Sequence, residues 1–276
     1  MFSVDLHCHS TASDGLLSPA AVARRAAEKD IRMLSLCDHD TVGGLAEASQ
    51  AATEAGVRFV NGVEISSEWL GQQVHILGYA FDPGDKALAE GLFAARSGRI
   101  ERAKRMSLAL EKVGIPRCFE GAMRYAENPE LINRAHFARY IVEIGVCKTM
   151  QRVFDAYISP GRPGYVENRW MSIKDVVALI LGAGGIASIA HPGRYKFSRN
   201  QMRSLFEEFG NCGGQAIEVV SGSHNAEEIA RFARVAVEYG FAASCGSDFH
   251  GPGESRVDLG RFPPLPPDLA PIWDFF

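Results

Sequence analysis

The sequence predicts an α/β protein built on a barrel of about seven strands, with a helical insertion between the fourth and fifth. Two features point to it. Short apolar runs alternate with helical patterns, and polar residues of metal-binding type recur at the ends of those runs. A third feature places the insertion: residues 83–168 break the alternation and read as helices at 85–113, 117–126, 134–144 and 149–158, with no clear strand among them. The 276 residues suffice for one large barrel or two modest domains with a substantial core. The division expected is a barrel from 1–82 and 169–276, with 83–168 as an inserted helical piece over the substrate.

The elements follow in order. S-V-D-L-H (3–7) is the first strand, and Ser18 with Pro19 marks an N-cap and first turn of a helix. R-M-L-S-L-C-D (32–38) comes next, then a helix near 43–55, then V-R-F-V-N-G-V-E-I (57–65) and Q-Q-V-H-I-L-G-Y-A-F (72–81). After the insertion, Ser172 and Asp175 resemble a capping box, followed by I-A-S-I-A-H (186–191). A helix opening at Ser198 with Gln201, Q-A-I-E-V-V-S (215–221), a helix near 225–239 and F-A-A-S-C-G-S-D (241–248) complete a parallel architecture. The Pro-rich tail after Gly251 is expected to pack as irregular chain.

Several classes are excluded or disfavoured. The formal net charge of −4 argues against coating nucleic acid or anionic membrane with the whole surface. The longest uncharged apolar stretch, residues 176–190, is too short for a membrane span and is broken by G-A-G-G. The opening M-F-S-V-D-L-H-C-H-S shows no basic leader before an apolar core, so a cytoplasmic location is expected. No G-x-G-x-x-G follows the first strand and no G-x-x-x-x-G-K-[ST] occurs. Cys8, Cys37, Cys118, Cys147, Cys212 and Cys245 form no C-x-x-C and read as small buried thiols. No protein partner can be inferred.

His7 and His9 point to the same side of a strand, where they could share an ion or simply face water. A lone histidine is more often structural than a ligand, so the argument rests on company. His39, His75, His191 and His250 also lie within, at or just past strand ends, His224 follows another strand, and only His136 falls in the insert. Asp14, Asp38, Asp40, Glu64 and Asp248 share that pattern, though Asp38 and Asp40 could equally be loop or cap residues. A mixed imidazole–carboxylate set suits Zn²⁺, Mn²⁺ or Fe²⁺, and so many donors imply two or three ions.

The motifs H-C-H-S with Asp14, C-D-H-D, G-V-E-I-S, V-H-I-L-G-Y, I-A-H-P-G and G-S-D-F-H stand in the order of the polymerase and histidinol phosphatase (PHP) family, which this chain resembles over residues 1–82 and about 170–251. The insert with N-R-A-H-F-A-R is similar to that of stand-alone bacterial PHP phosphoesterases. The resemblance implies a distorted (β/α)7 barrel and a trinuclear centre, with Mn²⁺ the first expectation and Zn²⁺ or Fe²⁺ the alternatives. His7, His9, Glu64 and Asp248 would hold one metal; Glu64 would bridge to a second with His75 and His191; Asp14, His39 and His250 would hold the third. Glu64, His191 and Asp248 are the expected catalytic residues.

Such ions lower the pKa of a bridging water and neutralise phosphoryl oxygens, so phosphoester hydrolysis is the expected reaction. Arg134, His136, Arg194 and His224 are candidate substrate contacts, each weighed against a surface or salt-bridge role. The basic run from Arg96 to Arg105 reads as a solvated helix face, and Trp69, Tyr79, Phe81, Tyr165 and Trp170 as either base-stacking groups or core. The resemblance points to removal of the 3′-phosphate from nucleoside 3′,5′-bisphosphates, a small-molecule nucleotide substrate. The alternatives are a 5′→3′ exonuclease on short RNA or DNA oligonucleotides, a histidinol-phosphate phosphatase, and a non-catalytic metal-binding domain.

Overall fold

In the computed structural model, which describes residues 3–276, the expected runs become β1 (Val4–Cys8), β2 (Met33–Leu36), β3 (Arg58–Trp69) and β4 (Gln72–Tyr79), with a two-residue β5 (Met171–Ser172) before β6 (Ile186–Ile189), β7 (Ala216–Ser221) and β8 (Ala242–Gly246). The strand order is β1-β2-β3-β4-β6-β7-β8, with β5 pairing β3 off this path. β8 comes back beside β1, where Asp248 N–H donates to the His7 carbonyl at 2.7 Å and His9 N–H to that of Phe249 at 2.8 Å. The seven-stranded sheet is therefore curled nearly closed.

One expectation is corrected. The sheet is not wholly parallel, because β4 runs antiparallel to both β3 and β6. Leu70 (φ 47°) and Gly71 (φ 71°) reverse the chain in two residues, a primed turn that joins strands with no room for a helix. The leucine at a left-handed position hides that turn from a reading keyed to Asn-Gly or Gly-Gly.

Helices α1 (Pro19–Glu28), α2 (Leu45–Glu54), α8 (Ile173–Gly182), α9 (Arg199–Asn211) and α10 (Ala226–Tyr239) belong to the barrel, alongside the insert helices α3 (Lys86–Arg96), α4 (Arg99–Glu111), α5 (Cys118–Met123), α6 (Arg134–Glu143) and α7 (Met150–Val153). Their starts follow local chemistry. Ser18 caps α1, Ser172 caps α8, and reciprocal capping boxes form at Ser198/Gln201 and Asn225/Glu228. α1 buries Val22, Ala23 and Ala26 and α8 buries Val176, Val177 and Ile180, an i, i+3, i+4 stripe that packs on the sheet.

The helix expected at 85–113 is two helices, broken at Gly98 (φ 86°). Leu88 and Leu92 of α3 join the main core, whereas Met106, Leu110, Phe137, Ile141, Val153 and Ile158 form a second core of their own. The irregular tail is tied down by Leu259 and Ile272 in the core and by Asp258, which pairs with Arg25 and Lys29. All six cysteines are free thiols. Among the described residues no helix is long and apolar enough to cross a membrane. Met1 and Phe2, where the reading for a leader begins, lie outside the described residues.

Candidate metal centre

All nine expected ligands meet at one mouth of the barrel. His7 on β1 and His9 just past its end have ring centroids 5.2 Å apart, and Asp14 lies in the loop that follows. His39 follows β2, Glu64 lies on β3, and His191, Asp248 and His250 follow β6 and β8. His75 is the exception to the rule that parallel strands present their C-terminal ends, since antiparallel β4 delivers it early, opposite Ser66 of β3. His191 (φ 25°) and Asp248 (φ 54°) both hold left-handed backbone, a conformation non-glycine residues occupy only where surrounding bonds enforce it.

The donors fall into sets. In the first, His7 Nε2 lies 3.2 Å from His9 Nε2, 3.4 Å from Glu64 Oε2 and 3.4 Å from Asp248 Oδ1. His9 Nε2 lies 3.3 Å from Glu64 Oε2 and 3.2 Å from Asp248 Oδ1. A regular tetrahedron of that edge has its centre about 2.0–2.1 Å from each corner, the reach of a first-row metal to nitrogen or oxygen. In the second, Glu64 Oε1 has His75 Nδ1 at 2.8 Å and His191 Nε2 at 2.9 Å. The third gathers Asp14, His39 and His250, with His250 Nε2 at 3.5 Å from Asp14 and His39 Nε2 at 3.9 Å. His9 and His39 each face two sets, because His9 Nδ1 also looks toward Asp14 (3.8 Å) and His39 Nδ1 toward Glu64 (3.1 Å).

The charge state suits cations. Burial would raise Glu64, but His75, His39 and His7 hold it well below the carboxylate range; Arg194, His7 and His250 do the same for Asp248. Burial pulls His39 down to about 3 and His191 to about 4, leaving neutral imidazoles with free lone pairs. His7 goes the other way: burial lowers it, but Glu218, Glu64 and Asp248 together hold it well above its ordinary value. Glu64 Oε2 and Asp248 Oδ1 are buried without a hydrogen-bond partner. Two bare carboxylate oxygens among imidazoles are costly in a protein interior, and divalent cations remove that cost, so the residues fit such ions.

Supporting bonds hold the donors. Asp38 accepts from Ser10 N–H (2.8 Å) and from the Ser10 and Ser13 hydroxyls (2.6 Å each), so it is a loop anchor. Asp40 accepts from Ser66 N–H at 2.7 Å and pairs with Arg99. From the insert, Asn133 donates to Asp14 Oδ2 at 2.8 Å while capping α6.

A cavity of about 990 Å³ opens above the centre, with Asp14, His39, His75, Asp248 and His250 at its floor. Arg134 and Arg194 line it, Arg134 bonded to Gln73 (3.1 Å) and Arg194 paired with Asp248. The structure does not bring His136 and His224 into that lining. His136 is buried and its Nδ1 accepts from Asn133 N–H at 3.1 Å, closing the cap of α6. His224 is pinned at both nitrogens: Nε2 accepts from Gly193 N–H at 3.1 Å and Nδ1–H donates to the Val219 carbonyl at 3.0 Å, which braces the turn carrying Arg194.

Arg99 and Arg102 are corrected in turn. They line the cavity beside Arg134 and are buried, while Lys104 and Arg105 of the same run are exposed. Their spacing to Ala103, Met106 and Leu110 puts them on the apolar stripe of α4, a signal the charge count obscures. Trp170 lines the wall beneath the Arg99 guanidinium (5.1 Å), whereas Trp69, Tyr79 and Phe81 are core. Glu218, a lone acid within an apolar strand that the motif order misses, contacts both His7 Nδ1 and the His191 backbone N–H.

A family model described as the PHP domain matches residues 5–209. A 3′,5′-nucleoside bisphosphate phosphatase from Chromobacterium violaceum is 50% identical over 99% of this chain and 96% of its own length. A 5′-3′ exoribonuclease from Haemophilus influenzae is 39% identical over 99% of this chain and 98% of its own. A crystal structure from Bifidobacterium adolescentis, described as a metal-dependent phosphoesterase, superposes with a TM-score of 0.83 at 26% identity, covering 98% of this chain and 93% of that one.

Proposed function

Since the chain belongs to the PHP domain family and is a phosphoester hydrolase of that family, we propose that it removes the 3′-phosphate of nucleoside 3′,5′-bisphosphates such as adenosine 3′,5′-bisphosphate. The observation that carries this reading is the Arg99–Arg102–Arg134 wall facing the donor cluster across one bounded cavity. Burial together with Arg134 and Arg99 lowers Arg102 to about 10, and burial lowers Arg134 as well. Three guanidiniums crowded together, of which only Arg99 is paired with a carboxylate, that of Asp40, make a strong anion subsite, suited to a second phosphate on the same substrate. The named activity of the Chromobacterium violaceum relative supports the same choice.

In this reading His7, His9, Glu64 and Asp248 hold one ion, Glu64, His75 and His191 a second, and Asp14, His39 and His250 a third. Mn²⁺ is the first choice, with Zn²⁺ and Fe²⁺ alternatives for the same donor set. Bound there, such ions supply an activated water and neutralise phosphoryl charge. The chain's own residues do the rest. Arg194, paired with Asp248, faces the cavity where a phosphoryl oxygen would need a bidentate donor. The Arg wall grips the distal phosphate, and Trp170 and Phe154 border the space between for the nucleoside. The insert 83–168 acts as the capping piece, since it carries the Arg wall and Asn133. Free, mostly buried thiols accord with a cytoplasmic location.

The test is phosphate release by Mn²⁺-supplied protein from a nucleoside 3′,5′-bisphosphate, histidinol phosphate, a generic phosphomonoester and 5′-phosphorylated oligonucleotides in parallel. The bisphosphate is expected to lead in kcat/KM. Equal rates on the generic ester would overturn the assignment, and a lead for oligonucleotides would transfer it to the exoribonuclease activity named for the Haemophilus influenzae relative.

A further inference from the structure

Glu218 lies on β7, wholly buried, and belongs to none of the donor sets. Each of its two oxygens has a separate task. Oε1 sits 3.0 Å from His7 Nδ1, and Oε2 accepts the His191 backbone N–H at 2.5 Å. A carboxylate can only accept, so His7 carries hydrogen on Nδ1, which leaves Nε2, facing His9, Glu64 and Asp248, as the nitrogen that gives up its proton to bind a cation. The second bond fixes the backbone of His191 at its left-handed φ of 25° and thereby aims Nε2 at Glu64. The two rings it controls stack with centroids 5.7 Å apart, one in the first set and one in the second.

We propose that Glu218 is a positioning residue that sets the His7 ring and the His191 backbone at once, so that one buried carboxylate holds two metal-ligand sets in register. The proposal rests on the metal reading above. It explains why an acid occupies the middle of A-I-E-V-V-S, where every neighbour is buried. A glutamate at this point would otherwise be an expensive choice, since a buried carboxylate persists only with donors on both oxygens.

Glu218→Gln keeps the shape but leaves one acceptor oxygen for two donors, with an amide N–H₂ facing the other. The expected result is a loss of about 10- to 100-fold in Mn²⁺ affinity, the range for removing a group that orients a ligand. Turnover falls through kcat with KM little changed, because Glu218 does not line the cavity. Glu218→Asp, which retains two acceptors and the charge, is expected to recover part of the affinity. An independent readout is the His7 Nδ1–H proton resonance in metal-free or Zn²⁺-supplied protein. In wild type it lies far downfield and exchanges slowly against its carboxylate acceptor; in Glu218→Gln it moves upfield and exchanges faster. An unchanged resonance overturns the proposal, and so does Mn²⁺ affinity within two-fold of wild type. Should the wild-type chain bind no metal, the metal reading fails and the proton resonance alone decides the Glu218 bond. Should Glu218→Gln fail to fold, Glu218→Asp is read instead, and wild-type affinity with a wild-type resonance there, despite the shortened reach, overturns the proposal.

Discussion

Arg102→Met tests whether the Arg wall stands where it does for function rather than stability. Burial, with Arg134 and Arg99 close by, holds the Arg102 guanidinium at about 10 against its ordinary 12.5. Keeping it charged therefore costs the folded chain about 3 kcal/mol at neutral pH. Methionine fills much of the same space without the charge. It also forfeits the bond from Arg102 Nε to the Val166 carbonyl, 2.8 Å long, a loss of about 1 kcal/mol. The net expectation is a gain of about 2 kcal/mol, or a rise in Tm of about 4–8 °C. Because Arg102 titrates only near 10, the gain should be constant across pH 6–9. The same variant should lose about 10- to 100-fold in kcat/KM on a nucleoside 3′,5′-bisphosphate, the worth of a charge-assisted hydrogen bond or two. On a substrate lacking the second phosphate it should lose little. Thermal unfolding and steady-state kinetics on both substrates measure this. A variant that is destabilised, or that loses equally on both substrates, refutes the reasoning.

Three further outcomes are expected. His7→Ala removes one corner of the 3.2–3.4 Å donor cluster, so metal content should fall by at least one equivalent and turnover by about 100-fold or more; full metal content with full activity would remove the site. Gly62→Ala would put a Cβ 2.7 Å from the Leu36 carbonyl and 2.7 Å from Cys37 Sγ, and closer still to Ser35 Oγ, inside the barrel. Denaturant unfolding should show a loss of about 2 kcal/mol or more from that overpacking, and an unchanged midpoint would contradict the β2–β3 register. Asp258, paired with Arg25 and Lys29, has its carboxyl lowered to about 2 from 3.8. Its contribution is present above the unfolded value and lost as pH falls through about 2. With its side chain 25% exposed, Asp258→Asn should cost about 1 kcal/mol at pH 7 and progressively less from pH 4 downward, read as converging Tm values.

The donor cluster was legible because ligand chemistry belongs to residue types. Imidazoles and carboxylates at strand ends announce themselves one by one, and their order along the chain identifies the family. Helix starts were legible for the same reason: Ser18, Ser172 and Ser198 act on backbone three residues away. His136 and His224 show where that logic stops. Both carry chemistry of the right type near the site, yet neighbouring backbone takes up ring nitrogens of each, and neither lines the cavity.

By itself, then, the sequence determined which atoms could bind cations, the alternation of strands and helices, and the phosphoester chemistry those donors serve. The tertiary structure alone decided that β4 runs backward and so presents His75 at the same mouth as the parallel strands. It also decided that Arg99 and Arg102 turn inward, and that Glu218 holds His7 across 211 residues of chain and Asn133 holds Asp14 across 119. The physical reason is range. A cap or a strand face is set by dihedrals and spacing within a few residues, whereas the partner of a buried charge is whatever the closed barrel brings within about 3 Å of it.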